Sequence, residues 1–255
     1  MRKPFDEGHV SRRSGGGRAC WVIRLLAWGI TLGTCAASAH AQAEYGPDNT
    51  EWDGLSELMA LAEENHIAID TPADLDLGAL APGDAIVILF PSASLPAGLG
   101  GFMAEGGRVA IADDFGASDA FLTSFGISRR PSVTSGLRGN PNLPIAAPSG
   151  AHPITAGVNA LVTNHPTVLH HAELVPVFSM GDQSEAVVLA GAVGSGRLIV
   201  VGDPSVLINN MMQFRGNKRF ALNLLQYLTS NGGSGRVFLV LPGAALHGRF
   251  GEDGT

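Results

Sequence analysis

The stretch DAIVILFPSASLPAGLGGFMAEGGRVAIADDFG, residues 84–116, contains two continuous apolar runs, 84–90 and 108–112, rich in branched residues. Runs without polar alternation suit strands covered on both faces, as in a parallel sheet. Between them LPAGLGGFMAEGG, residues 95–107, predicts a helix ended by Gly106 and Gly107, and SDAFLTSFG, residues 118–126, predicts a short helix capped by Ser118. Strand, helix, strand, helix is the pattern of a three-layer α/β domain with a mostly parallel, doubly wound sheet.

Working outward, residues 51–66 place Leu55, Leu58, Met59 and Ala62 on one helical face, with Asn49 or Thr50 available as cap. Downstream, residues 129–150 are rich in Pro, Gly, Ser and Asn and predict a long surface loop. EAVVLAGAVGSGRLIVVGD, residues 185–203, predicts a late antiparallel hairpin turning at the Gly-Ser-Gly. KRFALNLLQYL, residues 218–228, predicts a helix capped by Asn217 with Phe220, Leu224, Leu225 and Leu228 inward, and RVFLVL, residues 236–241, a last strand. The segmentation is therefore an export signal at 1–41, a polar spacer at 42–50, one α/β domain at 51–241 and a tail at 242–255.

The signal reading rests on a basic start, an apolar segment at 25–37 and small residues at Ala39 and Ala41. That apolar segment is short for a bilayer span, which needs roughly 20 residues. Cleavage after Ala41 would leave Gln42 as the first residue of an exported chain, periplasmic or extracellular, without a transmembrane span. Two rival signals are weaker: Ser11 to Ser14 holds a twin arginine without the usual apolar continuation, and Cys35 follows a poor lipoprotein box. The whole chain has net charge −7; the first 41 residues carry +4, so the remainder stands at −11. An acidic surface disfavours nucleic acid and anionic membrane as partners. Both cysteines, Cys20 and Cys35, fall in the signal, so the mature chain has neither disulfide nor thiol nucleophile.

The order of motifs resembles the class I glutamine amidotransferase-like superfamily, whose fold is flavodoxin-like. Catalytic members end one strand in a nucleophile elbow; here RVAIADDFG keeps the strand and Gly116 but has Asp114 in place of the cysteine. Where they end a later strand in His-Pro-Glu, LIVVGDPS has Asp203 and Ser205 around Pro204. AHPITAG, residues 151–157, is similar to a loop of non-amidotransferase relatives. More narrowly, GGRVAIADDF, GSGRLIVVGDPSVLINN and GNKRFALNLL resemble the bacterial envelope family called domain of unknown function 4350, whose members are often encoded beside MoxR-type ATPases. Thiol catalysis needs a thiolate, a base and an orienting group. Asp114, Asp203 and Ser205 fill none of these roles, so the resemblance implies a non-catalytic member.

Ligands of open α/β sheets bind beyond the carboxyl ends of the strands. Asp113, Asp114, Asp203 and Ser205 are expected there, with Asn209 and Asn210 nearby, as a candidate ligand-binding edge. The competing reading makes Asp203 a helix cap, with Asp113 and Asp114 pinning loop amides. A pure cap predicts that Asp203→Asn is tolerated while Asp203→Ala costs roughly 0.5–2 kcal/mol. No cofactor and no resident metal are expected: Gly-Ser-Gly lacks a phosphate-loop context, and His170 and His171 on a strand would face opposite ways. His152, His165, His170 and His171 are read as surface residues, and His247 as part of a turn. Three functions follow. The first is a non-catalytic module that binds an envelope protein or small ligand. The second is a metal-assisted hydrolase using the crevice aspartates, which requires converging oxygens. The third is a purely structural envelope module, which a sealed crevice would favour.

Overall fold

Both apolar runs are strands in the middle of one large sheet in the computed structural model, which describes residues 44–132, 136–137, 140–181, 185–230 and 234–251. The export signal read at 1–41, including Cys20 and Cys35, lies outside the described residues. In chain order the first half comprises α1 (Ser56–Glu64), β1 (Ala68–Asp70), β2 (Asp74–Asp76), β3 (Ala85–Leu89), α2 (Gly98–Ala104), β4 (Arg108–Ala112), α3 (Asp119–Ser124), β5 (Ser128–Pro131), β6 (Gly136–Leu137) and β7 (Asn140–Pro148). The second comprises β8 (Leu161–Val162), β9 (Thr167–His170), β10 (Val175–Met180), β11 (Glu185–Val193), β12 (Gly196–Val201), α4 (Asn209–Met212), α5 (Arg215–Thr229), β13 (Arg236–Val240) and β14 (Ala245–His247).

The strand order is β1-β13-β3-β4-β12-β11-β10-β7-β6, with β9 beside β11 and β5, and β8 beside β7. From β1 to β12 the pairings are parallel; beyond β12 they are antiparallel. This is a mixed α/β fold with a large sheet and few helices. The core follows from strand alternation. Ala85, Val87 and Leu89 of β3, with Ala110 and Ala112 of β4, meet Phe220, Leu224, Leu225 and Leu228 of α5 on one face. Ile86, Ile88, Val109 and Ile111 meet Leu99, Phe102 and Met103 of α2 on the other. Apolar surface is buried on both sides, which explains why these strands read as unbroken apolar runs.

The predicted hairpin is present: Val193 pairs with Gly196, leaving Gly194 and Ser195 as the turn, with Gly194 at φ 58. The antiparallel region is larger than that hairpin. The segment expected to be a loop at 129–150 contains β5, β6 and β7, and Pro144 of β7 joins through its carbonyl, which accepts from Thr163 N and Oγ1, both at 2.8 Å.

Three predicted caps act differently. The first helix begins at Ser56, and neither Asn49 nor Thr50 caps it. Ser118 directs its hydroxyl to Asp113 and makes no cap bond. Asn217 sits inside α5, fully buried, and ties that helix to β8 by accepting from Val162 N at 2.9 Å and donating to Val162 O at 2.7 Å. The segments read as spacer and tail also pack into the fold. Tyr45 is buried, β14 pairs with β2, and the Phe250 ring meets Phe102 edge-on at 5.4 Å. Among the described residues, no helix is long and apolar enough to cross a membrane.

Candidate functional site

Register brings the residues of interest to one level. Ala112 pairs with both Leu89 and Val201, so β3, β4 and β12 end side by side. One further ladder step continues across them: Phe90 N–H donates to Ala112 O and Asp113 N–H to Val201 O, both at 2.9 Å. Phe90, Asp113, Asp114 and Asp203 therefore leave the sheet at its carboxyl edge, where ligands of open α/β sheets bind.

Asp113 is fully buried and faces inward. Its carboxylate accepts from Gly116 N at 2.6 Å, from Ser118 N at 3.1 Å and from the Ser118 hydroxyl. Arg129 Nη1 lies 2.9 Å from Asp113 Oδ2 without hydrogen-bond geometry, so that contact is coulombic. The same guanidinium holds Asp119 at 2.6 Å and Gly116 O at 3.3 Å. A Cβ on residue 116 would lie 2.5 Å from the Asp113 carboxylate and 2.9 Å from Pro91 O, hence glycine there. Asp113 and Arg129 thus fix the turn between β4 and α3.

Asp203 caps the short 3₁₀ turn Pro204–Leu207, accepting from Ser205 N at 2.9 Å, and its other oxygen accepts from Asn164 N. Burial pushes its carboxyl up to about 7 against the pull of those amides, and the neighbouring Asp114 charge adds to the rise. Asp114 is half-buried and accepts from Phe115 N at 2.7 Å. Burial raises its carboxyl too, and Asp113 contributes. Close to this group lies Tyr45, a residue within the predicted spacer. Its ring stacks on Phe90 with centroids 6.2 Å apart. Burial raises the phenol above its usual range, followed by the charges of Glu44, Asp114 and Asp203. Tyr45 and Phe90 both have positive φ, 58 and 40, in a region side chains rarely occupy.

Asn209 is not free for a ligand. Its Oδ1 accepts from Glu57 N at 2.9 Å and from Ser56 Oγ at 3.3 Å, while its Nδ2 donates to Asn49 O at 2.8 Å and Glu51 O at 2.7 Å. It caps α1 from more than 150 residues away. Asn209→Ala leaves those groups unpaired in a buried place and is expected to cost about 2 kcal/mol, read as a lower urea midpoint with an unchanged slope. Asn210 has an exposed side chain, and its backbone N–H donates to Trp52 O at 3.0 Å.

Among the described residues, no group of three or more His, Cys, Asp or Glu side chains is placed to hold a metal. The histidines are scattered. His152 caps Pro153–Thr155 and packs edge-on against Tyr227. His165 and His170 are exposed. His171 is partly exposed and fixed by the backbone: it donates to Phe125 O at 2.8 Å and accepts from Glu173 N and Leu174 N. His247 closes β14 and lies 2.7 Å from Asp74.

What remains open at the edge is its rim. A groove of about 280 Å³ runs between Asp114, Phe115, Arg130 and Thr167, with the Phe115 ring 64% exposed. Trp52, 63% exposed, stands beside Asn210 on the same edge.

The structure thus defines a mixed α/β protein whose edge carboxylates Asp113 and Asp203 are buried and whose rim carries two exposed aromatic rings. The family model described as "Domain of unknown function (DUF4350)" matches residues 47–225, and the chain belongs to that family. No curated protein matches the sequence. Among solved structures, a cytoplasmic protein of Salmonella typhimurium LT2 is similar over 69% of this chain and 87% of its own, at TM-score 0.53 and 18% identity. The N-terminal domain of mmIFT52 is similar over 58% of this chain and 78% of its own, at TM-score 0.47 and 15% identity. A cold-adapted β-galactosidase from Rahnella sp. R3 is similar over 68% of this chain at TM-score 0.47 and 17% identity, and this chain spans 27% of that enzyme's length. Likeness at such identity concerns the fold alone.

Proposed function

We propose that this chain is a non-catalytic, amidotransferase-like binding module of a bacterial envelope assembly, exported by the signal at 1–41 and docking a protein partner on the rim of the carboxyl edge. The observation that carries this reading is the contrast between interior and rim. Asp113, Asp203 and Asn209 spend their hydrogen bonds on the fold, whereas Phe115 and Trp52 project into solvent. Exposed aromatic rings beside a groove are the usual anchors of protein interfaces. The amidotransferase kinship is supported by the two strand ends at Asp114 and at Asp203-Pro204-Ser205, and by helices on both faces of the parallel strands. The strand order differs from the flavodoxin order, because β13 inserts between β1 and β3.

The test is photo-crosslinking in solubilised bacterial envelope from position 115 or 52, with position 175 as control, since Val175 is 57% exposed on β10 of the antiparallel half. One crosslinked partner common to positions 115 and 52 is expected, and Phe115→Ala or Trp52→Ala should weaken its capture at least about tenfold. Equal labelling from position 175, or capture indifferent to both substitutions, would refute the rim as the docking surface.

A further inference from the structure

β1 ends the sheet on its parallel side: it pairs with β13, and among the described residues no strand lies on its other flank. Parallel strands send the N–H and C=O of alternate residues to opposite sides, so part of the β1 backbone faces outward with no strand to meet it. His66, at φ 57, turns the chain from α1 straight into β1, and Ile67 N–H bonds back to Ala62 O at 2.9 Å. Helix and edge strand leave between them an open groove of about 660 Å³. Its floor is apolar, with Met59, Ile67 and Ile69 only partly buried against the core, and Asp48 and Glu63 stand exposed on its rim.

The charge around this edge has one sign. Residues 44–107 contain no Lys or Arg, and Glu64 and Asp70 add exposed carboxylates to those of the rim. Two cations approach from other elements, and each already faces a carboxylate. Lys218 of α5 lies 3.7 Å from Glu57. Arg236, opposite Ala68 on β13, bonds Asp84 at 3.2 Å and covers the Phe238 ring, on the face of the sheet away from Ile69.

We infer that the open edge of β1 is a second docking surface, which receives an extended, cationic and apolar segment of a partner protein as an added strand. It is separate from the rim proposed above, since β13 and β3 lie between β1 and β4, the strand that leads to Phe115. In strand addition, main-chain bonds supply the affinity and sites for alternate side chains supply the choice of partner. Here apolar side chains of the added strand lie over Ile67 and Ile69, and its lysines or arginines meet the acidic rim. A second copy of this chain does not suit the edge, because two acidic faces would be brought together. β1 is also three residues long and Pro72 follows it, which keeps the register short. Both features guard the edge against indiscriminate pairing and leave it open to a segment of opposite charge.

The test adds a fluorescein-labelled Lys-Val-Lys-Val-Lys-Val amide to the full chain and follows its anisotropy. Saturable binding is expected, weakening steeply from about 0.01 to 0.15 M salt as the Debye length falls from about 30 to 8 Å. A Glu-Val counterpart should bind at least about tenfold more weakly. So should a Lys-Val peptide N-methylated at every residue, which keeps the charge and loses the backbone donors. Asp48→Lys with Glu63→Lys should weaken binding by a similar factor, whereas Phe115→Ala should leave it unchanged. Amide exchange of residues 68–70, read by NMR, should slow when the peptide is added. The N-methylated probe meets the wild-type chain, so the decision does not depend on how the double variant folds. Four results would overturn the inference: no saturable binding, binding indifferent to N-methylation, loss of binding in Phe115→Ala, or β1 amides that slow with chain concentration alone, which marks pairing between copies.

Discussion

Asp113→Ala is expected to lower the unfolding free energy by about 3–5 kcal/mol, whereas Asp114→Ala, one residue on, should cost less than about 1 kcal/mol. The two side chains leave the same strand end in different directions. Asp113 is fully buried against Arg129, whose side chain is 6% exposed. Removing the carboxylate takes away one of the two counter-charges of the Arg129 guanidinium, the buried one, and leaves it with Asp119 alone. It also strips Gly116 N–H and Ser118 N–H of their acceptor. Asp114 accepts from Phe115 N–H in an exposed place, where water can take over. Urea unfolding of the two variants settles the comparison. Against a total stability of typically 5–15 kcal/mol, Asp113→Ala should be marginally folded at 37 °C. Equal, small losses would mean that the turn between β4 and α3 is not held by the Asp113–Arg129 pair.

That pair shows what sequence reading reaches and where it stops. The parallel strands were legible because burial on both faces demands unbroken apolar runs, and β3, β4 and β12 have them. The helices α2 and α5 were legible from their glycine stop and their apolar stripe. β7 was not, because Pro141, Pro144 and Pro148 are loop residues by every local rule. Pro144 is accommodated in a strand because its carbonyl is bonded by Thr163 and no N–H is asked of it.

The site divides in the same way. That Asp113, Asp114 and Asp203 share the carboxyl edge follows from strand order and could be expected; that Asp113 would be neutralised by Arg129 could not, since Arg129 lay in a segment read as loop. Asn209 looked like a ligand group because its partners, Asn49, Glu51, Ser56 and Glu57, are remote in sequence. Tyr45 escaped notice because a lone aromatic in a polar stretch carries no periodicity. Its positive φ is a property of the fold that composition does not signal.

Asp203 gives the second large effect, a fall in global stability of up to about 4 kcal/mol as pH rises from 4 to 7. The sign follows from proton counting. The folded carboxyl titrates near 7 because burial disfavours its charge, and the unfolded one near 3.9. In that window the folded chain binds more protons than the unfolded chain, so raising the pH favours unfolding, and above about pH 7 the penalty is complete. Asp84 acts oppositely at the acid end. Its carboxyl is held below its usual value despite burial, because Ser234, the Ala81 amide and Arg236 bond its charged form. The stability it provides is present above the unfolded carboxylate value and is lost as pH falls through its folded value. Maximum stability is therefore expected near pH 4–5.

Asp203→Asn should remove the fall between pH 5 and 8, but it is not the silent change that a simple cap would allow. Asn164 N–H and Ser205 N–H bind different oxygens of Asp203, and asparagine offers one oxygen and turns an amide donor toward the other N–H. The variant should be about 1–3 kcal/mol less stable than wild type at pH 5, and the two stability curves should converge or cross by pH 8. Urea unfolding at three pH values decides it: parallel curves would show that Asp203 is already ionised in the folded protein at pH 5.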